Sequence, residues 1–133
     1  MLIDKEQCPF PLSDELIFIL TAEIQKVNND LPVILNFRDP TYSAERGGYH
    51  PIEISISARG QILYATDFSY AGPLPYAELE KEIDFDFGLR CFQHFGQEFP
   101  LEYGRELFDL WQQNFCSYYH MDVYRVTVTD VSG

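Results

Sequence analysis

The stretch Ile52-Glu-Ile-Ser-Ile-Ser-Ala-Arg-Gly-Gln-Ile-Leu-Tyr-Ala-Thr-Asp-Phe68 decides the fold of this chain. Ile52, Ile54 and Ile56 alternate with Glu53, Ser55 and Ser57, the period of a strand that is buried on one face and wet on the other. A short turn containing Gly60 leads into a second β run from Ile62 to Phe68. Two such runs joined by a few residues make an antiparallel hairpin. Whatever surrounds it, the core of this protein includes a sheet.

Working outward, Ser13 is placed to cap a helix over residues 14–28, with Asp14 and Glu15 complementing its positive end. Leu16, Leu20, Ile24 and Val27 recur at helical spacing within it, and Ile17 widens the stripe. Residues 32–37, rich in Val33, Ile34 and Leu35, read as a short buried strand. On the far side of the hairpin, Gly72, Pro73 and Pro75 punctuate a loop. Glu78, Glu80, Glu82, Asp84 and Asp86 then occupy every second position, with Leu79, Lys81, Ile83, Phe85 and Phe87 between them. Strict alternation predicts a half-buried strand. A short helix starting at Pro75 competes for residues 78–82, because glutamate and lysine are good helix formers and poor strand formers.

Residues 91–95 and 98–101 flank Gly96 and predict a second small hairpin. A helix over 102–119 follows, with Leu107, Phe108, Trp111, Phe115 and Tyr118 on one face and Gly104 weakening its first turn. A closing strand over 122–129 alternates Tyr124, Val126 and Val128 with Arg125, Thr127 and Thr129. The expectation is one α+β domain spanning residues 1–133: a mostly antiparallel sheet of five to six strands with two helices packed on one face.

With 46% hydrophobic and 16% aromatic residues in 133, the chain has the material for one packed core. Its 9 lysines and arginines against 21 aspartates and glutamates give a net charge of -12. That balance argues against direct nucleic-acid binding, which draws its affinity from cations at phosphates, and against anionic membrane surfaces. It leaves open a basic protein partner or a small ligand in a local pocket. Cys8, Cys91 and Cys116 are odd in number and far apart, so free thiols in a reducing compartment are expected. No signal peptide and no 18-residue apolar run is apparent, which points to the cytoplasm.

Functional groups gather in the loop 38–50 together with Asp67 after the hairpin. Arg38 and Arg46 suit a carboxylate or phosphate, His50 suits proton transfer near neutral pH, and Gly47-Gly48 allows close backbone approach. Asp39, Tyr42 and Tyr49 complete the candidate ligand-binding set. The bland alternative pairs Arg38 with Asp39 and leaves His50 at the start of the next strand. No catalytic spacing is present, so no catalytic residue is assigned. His50, His94 and His120 lie too far apart in sequence to suggest a metal, and no cofactor is expected. Carboxylates at Glu78, Glu80, Glu82, Asp84 and Asp86 on one strand would stand about 6.6 Å apart in a row and would not converge on one ion. Such a row suits a basic groove on a partner protein, or else it is a solvated edge that blocks aggregation.

The segments Phe37-Arg-Asp-Pro-Thr-Tyr-Ser-Ala-Glu-Arg-Gly-Gly-Tyr-His-Pro51, Thr66-Asp-Phe-Ser-Tyr70, Asp84-Phe-Asp-Phe87 and Leu110-Trp-Gln-Gln-Asn-Phe115 resemble a bacterial family known as domain of unknown function 2787. The resemblance covers the chain from about Leu31 onward. It implies a bacterial single-domain protein and carries no activity or site residue with it. The functional expectation is a non-catalytic interaction or accessory module with a basic protein partner, a homodimer being open. The alternative is a small-molecule-binding protein or enzyme that uses the loop 38–50.

Overall fold

The structure, a computed structural model, describes residues 2–131. Helix α1 (Asp14–Lys26) is capped as its sequence suggests: Ser13 Oγ accepts from the Leu16 N–H at 3.1 Å. Strands follow as β1 (Val33–Arg38), β2 (Ile52–Ile56), β3 (Ile62–Ala71), β4 (Glu78–Asp86), β5 (Cys91–His94) and β6 (Gln97–Pro100). A short 3-10 turn over Leu101–Gly104 leads into α2 (Arg105–His120), and β7 (Arg125–Asp130) closes the fold.

The strands form one antiparallel sheet in the order β6-β5-β4-β3-β2-β1-β7. The first six make a meander. α2 then carries the chain back across the sheet so that β7 pairs with β1 at the opposite edge. The sheet therefore has seven strands, not the expected five to six. Both edge strands fall where the sequence pattern places β segments, β6 in the small hairpin around Gly96 and β7 in the alternating run that packs Val126 and Val128 against the core. Residues 78–82 are strand, because pairing with β3 from Asp86 back to Glu78 overrides their helical propensity.

In-register positions explain the core. Val33, Leu35 and Phe37 lie opposite Ile56, Ile54 and Ile52, and Ala65 lies opposite Phe85, all on one face. α2 packs there: the Phe37 ring meets Phe115 at 4.8 Å and the Phe85 ring meets Phe108 at 5.0 Å. Leu16, Ile19, Leu20 and Ile24 of α1 join the same buried cluster. Buried Gln112 ties α2 to the chain entering α1, accepting from the Ser13 N–H and donating to the Pro11 carbonyl, each at 3.1 Å. Gly104 is needed for contact: a Cβ there would stand 2.8 Å from Phe92 Cδ1. The opposite face carries Glu53, Tyr64, Thr66 and Asp84, while the buried side chains of both helices join the core on the other face. Among the described residues no helix is long and apolar enough to cross a membrane.

Candidate functional site

The loop between β1 and β2 is shaped by Asp39. Its Oδ1 accepts from the Thr41 N–H at 2.9 Å and the Thr41 hydroxyl at 2.7 Å, and its Oδ2 accepts from the Tyr49 N–H at 3.0 Å. These donors, Tyr49 first, hold the Asp39 carboxyl below the usual range. Gly48, at φ 136°, lets the backbone pass so close that a Cβ would stand 2.8 Å from Asp39 Oδ2. The Tyr42 hydroxyl accepts from the Tyr70 N–H at 3.0 Å, and its ring packs 5.5 Å from the His50 ring. Tyr49 packs on Tyr118 of α2 at 4.7 Å. The loop is thus folded down onto the sheet end and α2.

A β-bulge delivers the next residue. Asp67 of β3 pairs with Ile83 and Phe68 pairs with Lys81, which leaves Glu82 as the extra residue on β4. Alternation is reset there. Asp84, beyond the bulge, accepts from the Thr66 hydroxyl at 2.7 Å on the uncovered face, whereas Glu82 turns toward His50 on the helix-bearing side. The five carboxylates are therefore not one outward row. Glu78, Glu80 and Glu82 lie on one side of the bulge and Asp84 and Asp86 on the other.

His50, Asp67 and Glu82 consequently meet, each half-buried, with one ligand-capable atom apiece all within 4.8 Å of one another. His50 Nδ1 donates to Asp67 Oδ1 at 2.7 Å and stands 3.9 Å from Glu82 Oε2. The bond to Asp67 raises the His50 pKa above its ordinary value, burial opposes, and the charges of Asp67 and Glu82 add to the rise. Among the described residues no lysine or arginine pairs with either carboxylate.

This cluster forms part of the wall of a cavity of about 340 Å³ between α2 and the sheet. Ile83, Leu107, Trp111, Tyr118 and Tyr124 supply the apolar and aromatic walls, with Tyr49 and Asn114 at the polar side. Burial, and then the Asp67 charge, push the Tyr124 phenol well above its usual pKa, so it faces the cavity neutral.

Of the residues singled out in sequence, the cavity gathers Tyr49, His50 and Asp67, with Tyr42 buttressing His50. Arg38 and Arg46 are exposed and outside it. Asp39 does not ion-pair with Arg38; it organises the loop backbone. Glu82 was expected in an outward row, and the bulge that recruits it has no signature in the alternating pattern. Trp111, Asn114, Tyr118 and Tyr124 reach the cavity from α2 and the chain after it, and only the sheet topology brings them there. The widely spaced histidines suggested no metal set, yet one imidazole and two carboxylates converge through the fold.

The class defined so far is an α+β protein whose antiparallel sheet is covered on one face by two helices, with a carboxylate-lined cavity beneath the second. The chain belongs to the family described as protein of unknown function, DUF2787, whose model matches residues 12–129. It is similar to a solved hypothetical protein from the VSP-II pathogenicity island of Vibrio cholerae, at 35% identity and a TM-score of 0.81, covering 92% of this chain and 96% of that one. It is also similar to a conserved hypothetical protein from pathogenicity island VPI-2 of Vibrio cholerae, at 34% identity and a TM-score of 0.79, covering 92% of this chain and 97% of that one. The latter is described as sharing structural homology with the human P32 protein. No curated protein matches the chain.

Proposed function

We propose that this protein binds a small molecule in the cavity between α2 and the sheet, the ligand's polar end at His50, Asp67 and Glu82 and its body against Trp111. One observation carries the reading: five separate segments converge on one concave space that combines apolar walls with a few polar groups, the usual anatomy of a ligand site. A ligand screen monitored by amide and indole NMR tests it. Shifts clustered at Tyr49, Asp67, Trp111 and Tyr118 support it, and hits confined to other surfaces refute it.

A second reading rests on the uncovered sheet face. Glu53, Asp84 and Asp86 stand there beside Lys81, whose Nζ lies 3.9 Å from Asp84. With the net charge of -12, this face suits a basic protein partner in the bacterial cytoplasm. Salt-sensitive capture of a basic protein that is lost in Asp86→Lys supports it. Capture unchanged by salt and by that substitution contradicts it.

A further inference from the structure

We infer that His50, Asp67 and Glu82 form a binding site for a divalent first-row transition ion, with the ion's open positions facing the cavity. The inference rests on the reading of that cavity as the ligand site and names what anchors the ligand's polar end. One imidazole nitrogen and two carboxylate oxygens suit ions such as Zn²⁺ or Mn²⁺.

The spacing fits. Ligands about 2.1 Å from a tetrahedral ion lie about 3.4 Å from each other. His50 Nδ1 now stands 2.7 Å from Asp67 and 3.9 Å from Glu82, and all three donor atoms lie within 4.8 Å of one another. Side-chain rotations of under about an ångström and a half would bring the set onto one ion. The carboxylate accepts, so Nδ1 carries the hydrogen of the present bond. An arriving ion takes that position: a doubly protonated ring releases the Nδ1 proton to solvent, a neutral ring carries it on Nε2 instead, and in both cases His50 binds as the neutral imidazole.

A separate feature points the same way. The β-bulge at Glu82 breaks the alternation of β4 and sets a second carboxylate beside Asp67, with no lysine or arginine pairing either among the described residues. Left on the alternating pattern, Glu82 would face away from His50, as Asp84 does. Bulges recur beside functional sites, where they re-aim a side chain, and a local departure that adds like charge is where function is expected. The adjoining cavity gives an ion an entry path and room for further ligands.

Calorimetric titration of the chelator-treated full chain with Zn²⁺, and separately with Mn²⁺, tests the inference. Co²⁺ absorption serves as a geometric readout. The expected result is one equivalent bound, weakened at least tenfold in both His50→Gln and Glu82→Gln and unchanged in Glu80→Gln. Failure of the native chain to bind either ion overturns the inference, as does equal binding by Glu82→Gln. Ligand binding in the presence of chelator would keep the cavity reading while this inference falls. Metal binding together with ligand hits confined to other surfaces would do the reverse.

Discussion

Glu82 and His50 face each other across 3.9 Å although 32 positions separate them in the chain (82 − 50), and a single extra residue in β4 makes the encounter possible. Two residues on, Asp84 looks out from the opposite face and holds the Thr66 hydroxyl. The same alternating acidic run thus supplies a charge to the cavity and a buried carboxylate to the uncovered face. Which side each carboxylate takes is set by pairing with β3, and its chemistry follows from that side.

Burial is the largest influence on Asp84 and raises its pKa, with the Thr66 bond and Lys81 opposing. A carboxylate raised in the folded state costs stability as pH climbs from below its unfolded pKa, about 3.9, through its folded one. Asp84→Asn keeps an acceptor for Thr66 and removes that cost. Relative to the native chain, the variant should gain stability between about pH 3.5 and pH 7, measured by urea unfolding at both. A difference that does not change with pH would contradict the assignment.

Asp39 holds its loop through three accepted bonds rather than through a pair with Arg38. Asp39→Ala should cost about 1–3 kcal/mol and broaden the amide signals of Tyr42, Tyr49 and His50, while Arg38→Ala should change stability by less than about 0.5 kcal/mol. Equal effects from the two substitutions would count against this division of roles.

Phe115 packs against Phe37 at 4.8 Å and parallel to Trp111 at 5.5 Å, joining the sheet to α2 beneath the cavity. Truncation to alanine should cost about 3–5 kcal/mol in denaturant unfolding. A loss below about 1 kcal/mol would mean that the site collapses without strain.

Gly104 is the N-cap of α2, a position where glycine is already preferred to alanine. Here the added methyl would meet Phe92, itself stacked on Phe85 at 5.5 Å. Gly104→Ala should therefore lower the thermal midpoint, at about 1–3 kcal/mol of overpacking; a raised midpoint would show that Phe92 gives way.

Much of the fold was legible in the sequence. The Ile52–Ile56 alternation, the glycine turn after it and the cap at Ser13 each have a local cause, and each appears where the pattern put it. The strand state of residues 78–82 was a contest between propensity and alternation that only β3 could decide. The site was legible in part. His50, Asp67 and Tyr49 stood out as functional side chains near breakers, but the bulge at Glu82 and the approach of Trp111 and Tyr118 depend on register and on the path of α2. Local patterns do not encode either. The arginines were read as ligand groups by chemistry alone, and their exposure removes them from the cavity.

The most direct measurement is a two-dimensional ¹H–¹⁵N spectrum of the native chain and of Trp111→Leu, each titrated with hits from a small-molecule screen. A ligand site beneath α2 gives saturable shifts at Tyr49, His50, Asp67 and Tyr118 that weaken at least tenfold in the variant. Saturable shifts confined to the uncovered face around Glu53 and Asp86, or shifts at the cavity unaltered by Trp111→Leu, would contradict it.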